Sequence, residues 1–80
     1  MTELSDVLTV LEELASDSTV PKNVKAKIQA IIEALNEGSD ISMKVNKALH
    51  ILDEISDDTN LQAYTRTQIW NVVSLLENIQ

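Results

Sequence analysis

Cysteine is absent from this 80-residue chain, glycine and proline occur once each, and aromatic residues make up 2% of it, with no phenylalanine. Each shortage excludes something. Without cysteine there are no disulfides and no thiolate metal sites, a composition that fits a reducing compartment. A single glycine cannot build a Gly-rich phosphate loop. His50 is the only histidine, so no catalytic histidine pair exists within one chain. Ser and Thr hydroxyls have no base beside them except carboxylates, and a small bundle offers little room for an acid–base cleft. The chain is therefore expected not to be an enzyme, with no cofactor and no catalytic residue.

Positive charge is also scarce. Six basic residues stand against 13 acidic ones, for a net charge of −7, and only Lys22, Lys25 and Lys27 cluster. Phosphate backbones and anionic lipid surfaces attract concentrated Lys and Arg, so direct contact with nucleic acid or membrane is disfavoured. No run approaches the roughly 18 apolar residues needed to cross a bilayer. Met1-Thr2-Glu3 lacks the basic and apolar regions of a signal peptide. A soluble cytoplasmic protein is the expectation.

What the chain has is 44% hydrophobic residues, almost all aliphatic, and a repeat. Val7 to Leu35 and Ala48 to Leu76 match at an offset of 41 positions. Leu8 falls on Leu49, Leu11 on Leu52, Glu13 on Glu54, Asp17 on Asp58 and Ile28 on Ile69. Val10, Leu14, Val20, Lys25 and Leu35 fall on Ile51, Ile55, Leu61, Arg66 and Leu76. Periods of about 40 to 47 residues are typical of paired-helix repeats.

Apolar spacing predicts four helices. The first runs from about Thr2 or Ser5 to Ala15, with Leu4, Val7, Leu8, Leu11 and Leu14 on one side. Ser16 to Thr19 is a turn by composition. The second helix starts near Pro21, whose fixed φ suits a first helical position, with Thr19 or Val20 before it as the cap. It buries Val24, Ile28, Ile31, Ile32 and Leu35. Gly38 is a natural left-handed C′ residue, so Asn36 to Ser39 joins two hairpins. Asp40 or Ser39 caps the third helix, which buries Ile41, Val45, Ala48, Leu49, Leu52 and Ile55. Asp57 to Asn60 is the second turn, with Asn60 as cap. The fourth helix runs to about Asn78 with Leu61, Ile69, Val72, Val73, Leu76 and Ile79 inward, and Tyr64 and Leu75 flanking. The expected fold is all-α: an up-and-down four-helix bundle built from two similar antiparallel helical hairpins, about 2–36 and 40–79, in a single helical domain over 1–80.

Several residues are candidates for more than folding. Trp70 lies about 140° from the centre of the inward face at 100° per residue, beside Ala63, Arg66, Ser74 and Glu77. It replaces Gln29 in the repeat, and a tryptophan on a polar flank either anchors a partner or folds down over Val73 to cover a seam in its own chain. Ala26, Ala30 and Ala34 form a row at i, i+4, i+8 that would let another helix approach, unless they serve only helix propensity. Asp57, Asp58 and Asn60, with Asp17 in the matching turn, offer hard oxygen ligands for a divalent metal. The loops are too short for an EF-hand, so turn formation and solubility account for them more simply. His50 lies opposite the core, where Glu54 four residues on can pair with it.

The stretches Asp17-Ser-Thr-Val-Pro21, Asn23-Val24, Ile51-Leu-Asp-Glu-Ile-Ser-Asp-Asp58 and Arg66-Thr-Gln-Ile69-Trp70 resemble a family of short, acidic archaeal proteins that is uncharacterised. The resemblance covers nearly the whole chain. It implies a four-helix bundle in an archaeal cytoplasm and supplies no catalytic residue. Where such relatives carry proline in the second turn, this chain has Leu61-Gln62, which leaves the local turn geometry open. The expected function is a small non-enzymatic interaction or structural module that meets a protein partner or its own copy, as in a homodimer, with Trp70, Ala26, Ala30 and Ala34 as interface candidates. The alternative is a bundle that binds a divalent metal or small ligand through its acidic turns.

Overall fold

Three hydrogen bonds donated by backbone N–H groups of the first hairpin recur 41 positions later in the second. Asp17 N–H donates to the Leu14 carbonyl at 3.2 Å, and Asp58 N–H to that of Ile55 at 3.0 Å. Thr19 N–H donates to Asp17 Oδ1 at 2.9 Å, and Asn60 N–H to Asp58 Oδ1 at 2.8 Å. Lys25 N–H donates to the Pro21 carbonyl at 2.9 Å, and Arg66 N–H to that of Gln62 at 3.0 Å. In each turn an aspartate follows the end of one helix and holds the residue two positions on with its side chain. Val20 and Leu61 plug the core one residue later.

These bonds come from a computed structural model that describes residues 3–38, 40–58 and 60–79, except for the side chain of Glu3. The helices are α1 (Glu3–Ser16), α2 (Lys22–Asn36), α3 (Ile41–Ser56) and α4 (Ala63–Ile79). The candidate caps Thr2 and Ser39, and Thr59 of the second turn, lie outside the described residues. Each helix packs against its neighbours in a closed ring, α1 on α2, α2 on α3, α3 on α4 and α4 on α1, while the diagonal pairs do not pack. The longest helix spans about 25 Å at 1.5 Å per residue, within a body of 32 × 20 × 19 Å. The helices therefore run side by side with alternating direction, an up-and-down four-helix bundle.

The repeat places equivalent residues in equivalent burial. Leu11 and Leu52, Leu14 and Ile55, Ile28 and Ile69, Ile31 and Val72, and Leu35 and Leu76 are all in the core. Val7 is matched by the smaller Ala48, and Val24 by Thr65, both fully buried. Thr65 is the one buried polar residue among those described. Threonine has the shape of valine, so it fills the slot that its repeat partner defines.

Local details differ from the expectations at Pro21, Thr19, Asn60, Gly38 and Ile41. Pro21 is the N-cap of α2 rather than its first residue, with φ −58° and ψ 149°. The Thr19 hydroxyl donates to Asp17 Oδ1 at 2.7 Å, so it does not cap α2. Asn60 does not cap α4. The helix begins at Ala63, and Gln62 makes the bond that Pro21 makes in the first hairpin. Gly38 has no positive φ, because Glu37 ends α2 in extended conformation (φ −69°, ψ 156°) and so removes the need for a left-handed residue. Asp40 does cap α3, through Oδ1 to Ser42 N–H at 2.9 Å. Ile41, placed on the buried face by periodicity, is exposed in the first turn of α3.

Candidate interaction surface

The two turns meet at one end of the bundle, where charge is concentrated. Asn23, in the first turn of α2, donates through Nδ2 to Asp58 Oδ2 at 3.2 Å and ties the hairpins together. Arg66 Nη2 reaches the Asp58 carbonyl at 3.4 Å. Asp58 is held below its ordinary value of 3.8 first by the Asn60 N–H, then by Asn23, with Lys27 and Arg66 adding attraction. Asp17 is lowered likewise, by the Thr19 hydroxyl and N–H and then Lys25. These carboxylates serve as turn acceptors. Among the described residues no group of three or more His, Asp or Glu side chains is arranged to hold a metal ion.

A depressed folded pKa contributes stability that is complete above the unfolded value and is lost as pH falls through the folded one. For both aspartates that window lies below pH 3.8. Asp58→Asn keeps an acceptor for Asn60 N–H but cannot titrate. Thermal melts followed by circular dichroism are expected to show a shallower acid loss of stability for Asp58→Asn than for the parent. An unchanged slope below pH 3.8 would show that the turn bond carries no linkage.

On the seam between α2 and α3, Glu54 lies 3.8 Å from Lys27 Nζ and 3.4 Å from His50 Nε2. His50 is exposed and pairs with Glu54 one turn on, as its spacing predicts. All three side chains are well solvated, so this is a surface network of small energetic weight.

The four interface candidates do not share a surface. Ala26 and Ala30 are exposed on α2, whereas Ala34 is 2% exposed and part of the interior. An i, i+4 row advances about 40° around a helix at each step. The row that starts outward at Ala26 has therefore turned into the bundle by Ala34. Ala26, Ala30 and Ala34 thus do not form one continuous contact ridge. Trp70 is on α4, diagonally across the ring from α2. Its indole is 59% exposed, so it does not seal a seam within the chain.

The surface around Trp70 is unusual for this chain. The 17 residues of α4 include only two charges, Arg66 and Glu77. Its exposed residues are Ala63, Tyr64, Thr67, Trp70, Asn71, Ser74, Glu77 and Asn78. Helix α1, by contrast, has four acidic residues and no basic one. Sequence periodicity finds Trp70 but passes over the near absence of charge around it. That signal was present in the composition of the fourth helix taken alone. Tyr64 is also exposed, about 120° around the helix from Trp70, so the two aromatics do not form one patch. Met43 and Ile41 are exposed at the opposite end of the bundle, at the start of α3.

Among the described residues no helix is long and apolar enough to cross a membrane. A family model described as an uncharacterised protein family (UPF0147) matches residues 1–79. A UPF0147 protein of Methanocaldococcus jannaschii is 45% identical over 78 residues, covering 96% of this chain and 84% of its own. The crystal structure of the unknown function protein MMP1188 is similar with a TM-score of 0.92 at 40% identity, covering 98% of this chain and 90% of that one. A crystal structure of a UPF0147 protein from Thermoplasma acidophilum gives a TM-score of 0.93 at 32% identity, over 98% of this chain and 93% of that one.

Proposed function

The chain belongs to the uncharacterised protein family UPF0147, whose relatives are archaeal, and we propose that it is a small non-enzymatic interaction module whose contact surface is the outward face of α4. It acts as one helical domain in the archaeal cytoplasm. One observation carries the reading: Trp70 is exposed at the middle of a helix whose outward face is almost uncharged, in a chain of net charge −7. Tryptophan contributes large contact area at little entropic cost, and such anchors dominate interfaces. Apart from Arg66 and Glu77, the rest of the outward face is small or neutral, so a partner would displace little tightly held water from it.

Photo-crosslinking from position 70 tests this. A photoreactive residue replaces Trp70 in one variant and the repeat-equivalent Gln29 in another, and each full chain is irradiated in native extract. Position 70 is expected to give a discrete protein adduct, with the chain itself or with another protein, and position 29 none. Equal labelling from the two positions would overturn the assignment of the surface.

A further inference from the structure

Along α4, Ala63, Arg66, Trp70, Val73 and Glu77 recur at alternating spacings of three and four, the spacing of a helix-pairing stripe. This stripe is distinct from the core stripe of Thr65, Ile69, Val72 and Leu76. Thr67 and Ser74 beside it are small. Its two charges are opposite in sign and stand on either side of Trp70. If a second α4 lies antiparallel against the first so that Arg66 meets the second copy's Glu77, Trp70 falls opposite the second copy's Val73, and each contact occurs twice. Val73 is half-buried and apolar, a suitable floor for an indole.

Building on the reading of α4 as the contact surface, we propose that its partner is a second copy of this chain, docked antiparallel with reciprocal Arg66–Glu77 ion pairs around Trp70. In a two-fold interface the same patch faces itself. A chain of net charge −7 can do this without repulsion only where its own charges cancel under that rotation. The outward side of α1 fails, because Asp6, Glu12 and Glu13 would confront their own copies. On α3 Glu54 already faces Lys27 and His50 within the chain. The centre of the outward side of α3 is Lys47 and His50, and its exposed apolar residues, Ile41 and Met43, lie at its first turn away from that centre. On α2 the charges are three lysines and one glutamate, which do not balance. Arg66 spends one N–H on the Asp58 carbonyl, which positions the guanidinium and leaves its other donors for the second copy's carboxylate.

Charge exchange tests the docking, read by sedimentation across a concentration series of the full chain. Arg66→Glu and Glu77→Arg each place like charges at both reciprocal contacts, so each is expected to raise the dimer Kd at least about tenfold. An equal mixture of the two restores opposite charges at both contacts and should return Kd to within about threefold of the parent. Trp70→Ala should weaken the dimer at least about thirtyfold, the effect of losing a central anchor. Should Arg66→Glu not fold, Glu77→Arg is compared with Glu77→Gln. The like-charge variant must be the weaker dimer, with the gap closing in high salt. A parent that stays monomeric, or a mixture no tighter than its components, overturns the proposal. A monomeric parent that still crosslinks another protein from position 70 overturns only the self-pairing and leaves the contact surface standing. A dimer whose position 70 labels no more than position 29 overturns both.

Discussion

Ala34→Asp is expected to destabilise the bundle by about 3 kcal/mol or more, the cost of an unpaired charge in the interior. Ala30→Asp, one turn earlier on the same helix, should cost only the helix-propensity difference of about 0.7 kcal/mol. The two substitutions share chemistry, helix and propensity penalty. They differ in burial, since Ala34 is inside and Ala30 outside. Denaturant unfolding followed by circular dichroism measures both. Against a typical domain stability of about 5–15 kcal/mol, the Ala34 variant should show a much lower midpoint at unchanged slope. Similar midpoints for the two variants would mean that the alanine row does face solvent throughout.

The second large effect concerns the repeat. Ile28→Ala and Ile69→Ala should each cost about 2–5 kcal/mol, from lost burial and the cavity left behind. Because the two isoleucines occupy equivalent positions at 0% and 1% exposure, their costs should agree to within about 1 kcal/mol. The double variant should be unfolded in buffer, since a chain of this size has little stability to spare. Far-UV circular dichroism is the appropriate probe, because the exposed Trp70 barely senses the core. A large inequality between the single variants would show that the hairpins match in form but not in energetic weight.

Most of this architecture is legible in the sequence because burial and helical spacing decide it. Leu11, Leu14, Ile28, Leu35, Leu52, Ile55, Ile69 and Leu76 are inside where the periodicity places them. Asp40 caps α3 because its carboxylate has an N–H to accept and no competitor. The misreadings come from places with several local solutions. Gly38 suggests a left-handed end, but Glu37 leaves α2 in extended conformation and Gly38 has no positive φ. Asn60 is good cap chemistry, yet Asp58 holds it in the turn and α4 starts only at Ala63. Ile41 has the right spacing for the core, but the first turn of α3 projects past the packed layer. Thr65 is polar by type and was not placed in the core, although its repeat partner Val24 marks the slot. The candidate surface is less legible. A helical wheel puts Trp70 on the polar flank. Only the assembled ring sets it diagonally opposite Ala26 and Ala30, and so separates candidates that the sequence presents as one group.

The joint at Gly38 has a further meaning. A Cβ built there would meet nothing within 4 Å, and the backbone needs no glycine. Gly38 is thus an undemanding position in the link between the hairpins. Since the beginning of α1 and the end of α4 lie side by side at that same end of the ring, no geometric feature dictates which half comes first. The unit that recurs along the chain is the aspartate-turned pair of helices.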